Sequence, residues 1–254
     1  MNQISPGGWD APQPVQPPTG GVRVRMPEGR EWLIFGLAGI TIAIYLLQQV
    51  SQFALGYDLP AALGIKSNQL IDSGQWWRLL TPVFLHGSIL HIAFNMYAMI
   101  SFGRNLVRFY GISRFLMLYF LAAFGGNVLS YLITPQPSLG ASTAVFGLVA
   151  AEGVFVYRNR FMFGQRYRPI IMNILTVVVI NLILGLNPGI DNWGHLGGLI
   201  AGLLFTWFAG PIYKVVGTLP ILELEDQRPP EQVWLAAALV FALFTGLAFF
   251  RLIG

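Results

Sequence analysis

Seven apolar stretches dominate the chain, at 32–50, 90–107, 115–133, 142–157, 169–186, 193–212 and 233–250. Runs of this length with almost no charge inside them are membrane-helix candidates. Charged residues make up 10% of the 254 positions, against about a quarter in a soluble domain. A backbone in lipid must satisfy its own hydrogen bonds, so the expected class is an all-α polytopic membrane protein. Its plan is six packed helices plus one appended C-terminal transmembrane helix. Residues 1–30, rich in Pro, Gly and Gln, read as a disordered tail without a signal-peptide core. The packed core is expected over 31–213, a charged linker over 214–231 and the seventh helix over 232–254. The connection 51–89, mixed apolar and polar, is expected to lie on or in the membrane interface.

Loop charge orients these segments. The tail and one set of alternate loops carry twelve of the basic residues, among them Arg104, Arg108, Arg158, Arg160 and Lys214. The opposite set carries three, Lys66, Arg78 and Arg251. Basic residues stay on the cytoplasmic side, so the N-terminus is expected in the cytoplasm and the C-terminus outside. Topology therefore accounts for the basic balance, and no nucleic-acid partner is implied. With 0 cysteines, disulfides, zinc–thiolate sites and a cysteine nucleophile are excluded. A compact chain without a transit peptide suggests a bacterial inner (plasma) membrane.

In that orientation the second, fourth and sixth segments all run inwards, so their first residues share one depth. There stand His86, His91 and Asn95, then Ser142, then His195, which together hold all 3 histidines of the chain. Polar and ionisable groups inside a membrane are costly and read as functional. The run from Ser142 to residue 157 is sixteen residues, about 24 Å at helical rise. The hydrocarbon core is about 30 Å thick, so Ser142 is expected below the outer surface. A serine needs a base to become a nucleophile, and His195 enters at matching depth. Gly198 and Gly202 follow His195 on one helical face, and Phe146, Ala150 and Gly153 follow Ser142. Small residues let membrane helices approach closely, which brings hydroxyl and imidazole within reach, with Phe146 stacked on the ring. His91 and Asn95, at i and i+4, project to one side and with the Ser142 amide can receive an oxyanion.

Plainer readings stand beside these. Ser142 also suits a helix N-cap, and His91 and Asn95 suit polar contacts between helices. Trp76, Trp77 and Trp193 suit an interfacial aromatic belt. Asp191, four residues before His195, is read as the cap of the sixth helix, with a third triad member as the alternative. No His-Glu-x-x-His occurs and no aspartate lies inside a span, which removes metallo- and aspartyl-protease mechanisms. Two histidines five apart with an asparagine make a poor zinc site. No metal or cofactor is expected. Gly140-Ala-Ser142-Thr-Ala144 is not the soluble-hydrolase elbow.

Four motifs occur in one order. They are Trp77-Arg78; His86-Gly-Ser-Ile-Leu-His91-Ile-Ala-Phe-Asn95-Met96; Gly140-Ala-Ser142 with Phe146-Gly147; and Gly194-His195-Leu-Gly-Gly198 with Gly202. In this the chain closely resembles the rhomboid intramembrane serine proteases. The resemblance spans roughly residues 30–213 and implies a six-helix rhomboid-like bundle. It implies a Ser142–His195 dyad without a carboxylate and an oxyanion site from His91, Asn95 and the Ser142 amide. Gly140 would keep the preceding loop tight, His86 would stand near the active-site water, and Trp77-Arg78 would be structural. Phe146 stands where some members carry Tyr, and the tail and seventh segment lie outside the shared core. Substrates would be single-pass or other transmembrane proteins, cut in or near their spans after lateral entry from the lipid bilayer beside the second and fifth helices. Helices weakened by small or helix-breaking residues would be preferred, and Asn187-Pro188-Gly189 would act as a hinge. The alternative is a catalytically silent rhomboid-like chaperone or quality-control protein that binds transmembrane helices. A histidine-relay transporter is disfavoured, because no acidic partner or inverted repeat is visible.

Overall fold

The computed structural model describes residues 23–253; residues 1–22 of the expected tail, and Gly254, lie outside the described residues. Among the described residues, eight α-helices carry the fold. α1 (Trp32–Leu55) ends at Gly56, whose left-handed φ of 78° suits a residue without Cβ. The long connection then folds into α2 (Leu59–Gly64), α3 (Asn68–Asp72) and two 3-10 turns, Trp76–Leu79 and Thr81–Phe84. The Asp58 carboxylate caps α2 by accepting from the Ala61 amide at 2.9 Å.

α4 (Ile89–Ile133) is 45 residues long and is broken at Gly111, where φ 71° and ψ 171° leave the helical region. Its two limbs run antiparallel, because Phe84, just before the first limb, packs 6.3 Å from Phe120 in the second. Asn127 near the end of the second limb donates to the Leu79 carbonyl at 3.1 Å. The separately expected second and third segments are thus one hairpin of helices.

α5 (Ser142–Arg158), α6 (Tyr167–Leu184) and α7 (Asn192–Ala209) follow, and α8 (Pro230–Ile253) closes the chain. α5 is the hub, with twelve of its 17 residues buried. α6 is its opposite: of 18 residues only Ile174 is buried. α8 packs on the second limb of α4, with Phe241 stacked 5.1 Å from Phe124 and Phe244 buried against Gly125. Four helices, α1, α4, α8 and the run Gly164–Leu184, are long and apolar enough to cross a membrane. α5 and α7, the shorter helices between them, carry Ser142 and His195.

The all-α expectation needs one correction. The linker expected over 214–231 contributes a hairpin, β2 (Tyr213–Thr218) against β3 (Ile221–Asp226). Strand β1 (Arg23–Arg25), from the end of the expected tail, joins it parallel to β3, in the order β1-β3-β2. The reason is legible afterwards: Ile221-Leu-Glu-Leu-Glu-Asp alternates in burial with period two, and Gly217 precedes the turn at φ 104°.

Candidate active site

Three close approaches set up the site. Added Cβ atoms would meet backbone at Gly197 (the Gly125 carbonyl oxygen, 2.6 Å) and at Gly202 (the Gly147 Cα, 2.5 Å), while at Gly198 one would run into the Thr143 carbonyl. α7 therefore lies against α4 and α5 with almost no side chain between. The seam on α5 runs through Thr143 and Gly147, and of the expected face Gly153 is not on it. Gly153 instead faces Ile174 of α6.

This seam places Ser142, first residue of α5, opposite His195 in the first turn of α7. The Ser142 Oγ lies 2.9 Å from His195 Nε2. Phe146, one turn further along α5, stacks on the imidazole at 4.4 Å and 14° between planes. The plainer cap reading of Ser142 does not hold geometrically. Ala141 is the N-cap residue, with no side-chain bond there, and the Ser142 hydroxyl points across to α7.

Asp191 caps α7 by accepting from the Gly194 amide at 2.9 Å, and its other oxygen accepts from Ser130 of α4. No protein group bonds His195 Nδ1 among the described residues, so Asp191 does not complete a triad. Ring orientation rests on the Phe146 stack, which beyond area burial is worth about 0.5–1.5 kcal/mol for an aromatic pair. Asp191→Ala should therefore cost about 1 kcal/mol of stability as a lost cap, read as a lower thermal midpoint.

Gly140, at φ 136°, turns the chain into Ser142. A Cβ there would lie 2.8 Å from the His91 ring and 3.6 Å from Ser142 Oγ, so His91, Gly140 and Ser142 share one corner. The Gly140 amide is held by the Pro82 carbonyl at 2.9 Å. His86 is buried, packs edge-on to His91 at 5.0 Å, and accepts from the Ala141 amide through Nε2 at 3.4 Å. Burial first, and then His91, push its pKa down to about 3, which keeps Nε2 a neutral acceptor. Asn95 is buried one turn below His91, and its amide donates to the His91 carbonyl at 2.9 Å. An amide nitrogen has a second proton to give. The structure thus gathers Ser142, His195, Phe146, Gly140, His91 and His86, with Asn95 adjacent. It leaves Gly198 and Gly202 as packing residues.

Trp77 and Arg78 stand apart and organise the long connection. Trp77 Nε1 donates to the Leu63 carbonyl at 3.0 Å, and Arg78 donates to the carbonyls of Ile65 at 2.9 Å and Ala62 at 2.6 Å.

Sequence reasoning missed the framework behind the site. Lys66 is fully buried and donates to the carbonyls of Thr134 at 2.6 Å and Gln136 at 2.9 Å. Burial lowers its pKa to about 8, with nearby Asp191 opposing the shift. Asn68 donates to the Tyr131 carbonyl at 3.2 Å, and Arg251 of α8 bonds the same carbonyl while lying 4.3 Å over the Tyr131 ring. The last carbonyls of a helix have no partner within it, and cations favour that end. The available signal was a lone lysine and a lone arginine beside apolar segments.

Comparison with known proteins supplies the family. A Rhomboid domain model matches residues 73–212, more than half of the chain. The chain is 39% identical over 175 residues to rhomboid protease GluP of Bacillus subtilis, covering 68% of this chain and 34% of that protein. It is 36% identical over 158 residues to the chloroplastic RHOMBOID-like protein 9 of Arabidopsis thaliana, covering 62% and 36%. Rhomboid-like protease 1 of Toxoplasma gondii is 36% identical over 192 residues, covering 72% and 61%. The chain thus spans about a third of the length of the first two relatives. Apolar helices, a glycine-lined seam between short helices and the matched domain lead to one conclusion: this integral membrane protein belongs to the rhomboid family.

Proposed function

We propose that the chain is an intramembrane serine endopeptidase that hydrolyses peptide bonds in or near the spans of transmembrane proteins. The observation that carries this reading is the 2.9 Å contact between Ser142 Oγ and His195 Nε2 under the Phe146 ring. Ser142 Oγ attacks the scissile carbonyl carbon while His195 Nε2 takes its proton. The oxyanion is received by the Ser142 amide and by the side chains of His91 and Asn95. Collapse breaks the C–N bond, and the departing amine takes the proton from His195. Water, deprotonated by the same imidazole, then releases the acyl group from Ser142.

In this reading α1, both limbs of α4, α5, α6 and α7 form six spans and α8 a seventh. The N-terminus is cytoplasmic, and the setting is a bacterial inner membrane. Substrate enters between the first limb of α4 and α6. A small cavity there is lined by Phe102, Val145, Phe146, Val178 and Asn181, on the side of α5 that bears the Phe146 ring. The experiment is reaction of the solubilised protein with a fluorophosphonate and mapping of the labelled residue. Label on Ser142 is expected; none on Ser142 with folded protein overturns the reading and favours a helix-binding role.

The proton-transfer step fixes a pH dependence. Only neutral imidazole accepts the proton, so cleavage should fall on the acid side, approaching tenfold per pH unit below the titration of His195. A rate that stays flat down to about pH 3 in folded protein, with chemistry limiting, would remove His195 as the base.

A further inference from the structure

Away from the site, α7 and α8 diverge and leave a groove of about 240 Å³ lined by Leu204, Phe208, Leu235, Leu239 and Leu243, with Gln232 at one end. Phe208, Leu235, Leu239 and Leu243 are all exposed. From Gln232 to Leu243 the helix rises about 16 Å, close to half of a hydrocarbon core of about 30 Å. The groove is thus one leaflet deep.

Its Gln232 end is basic. Arg228, four residues earlier, donates to the Gly210 carbonyl at 3.2 Å and to the Trp207 carbonyl at 3.4 Å. Arg158, the last residue of α5, lies 5.0 Å over the Trp207 ring. Among the described residues neither arginine forms an ion pair. The nearby Asp226 carboxylate is already taken by Arg114 at 2.8 Å and by the Ile212 and Arg228 amides, each at 3.0 Å. Burial, and next the Arg158 guanidinium, disfavour the charge on Arg228; a bound anion would relieve that. Trp207 and Trp234, both exposed, mark this end as a membrane–water interface.

We propose that the α7–α8 groove binds an acyl chain of an anionic phospholipid whose phosphate is received by Arg228 and Arg158. A chain fits the apolar depth, and the phosphate meets two guanidiniums without a carboxylate partner: Arg158, and the Nη1 of Arg228, whose Nε and Nη2 are held by carbonyls. Basic pockets between membrane helices bind anionic headgroups on this principle. The site does not depend on the peptidase reading.

The test is native mass spectrometry of the full chain released from detergent, titrated with phosphatidylglycerol or phosphatidylcholine of matched acyl chains. We expect phosphatidylglycerol to bind at least about tenfold more tightly, which is 1.4 kcal/mol at 25 °C. Arg158→Gln with Arg228→Gln should abolish that preference, and Leu239→Trp, which fills the groove, should weaken both lipids. Equal affinity for the two lipids in the natural chain overturns the proposal. So does a preference surviving the double substitution, or unchanged binding by Leu239→Trp. Full competition by glycerol 3-phosphate would assign the arginines to a soluble phosphate and overturn the lipid site. Should the double variant not fold, Leu239→Trp and the competition arm still decide.

Discussion

Ser142→Ala should abolish cleavage of a transmembrane substrate, with a loss of about 10³-fold or more, and His195→Ala should match it. In the proposed mechanism the two groups work through a single contact, so the double variant should be hardly worse than either single one. Nucleophile and base lost together cost little more than one alone. Folding should survive, because among the described residues the only hydrogen-bond partner of the Ser142 hydroxyl is the His195 ring. Single-turnover cleavage in liposomes, read beside the thermal midpoint, separates the effects. Cleavage persisting in a folded Ser142→Ala protein would end the peptidase reading, and a cellular function persisting without cleavage would favour a binder.

Gly198→Val is expected to be nearly as damaging from within the seam. Its side chain would occupy the space of the Thr143 carbonyl, a backbone group that cannot rotate away. Overpacking costs about 1–3 kcal/mol, occasionally more, and relief requires α7 to move off α5. A displacement of about 1 Å between reacting groups costs about 10² in rate. The variant should lose both thermal stability and fluorophosphonate labelling. Gly246→Ala in α8, where an added Cβ meets nothing within 4 Å, should change neither. Normal labelling by a fully folded Gly198→Val protein would show that the seam does not set the dyad distance.

The site was legible because polar residues are conspicuous in so apolar a chain. Three histidines and one serine at a helix start, aligned in depth by alternating helix direction, already specify which side chains meet. The Phe146 stack on His195 followed from one-turn spacing along α5. The seam itself was not legible. α5 is apolar on nearly every face, so periodicity could not choose between Thr143/Gly147 and Gly153; packing on two sides made that choice. The sheet was missed for a different reason. Charge made 214–231 look like a tether, although Leu222 and Leu224 alternate with Glu223 and Glu225, and β1 lies nearly two hundred residues from its partner β3. Lys66 was missed and Asp191 kept two readings because a buried ion finds its partners only in three dimensions: Lys66 on the carbonyls after α4, Asp191 on Ser130 and the first turn of α7.

The final turn of α4 is tied both to the loop that leads to Ser142 and to the first turn of the helix that carries His195. Lys66, Asn68 and Arg251 gather its carbonyls and those just beyond, where the chain sets out for Gly140 and Ser142, while Ser130 grips Asp191 at the root of the helix bearing His195. Along the covalent path the two reacting residues stand 53 positions apart, with the whole of α6 between them. Mechanically they are neighbours bolted to one bracket, and α6, almost bare of buried contacts, hangs outside that bracket like a door on its frame.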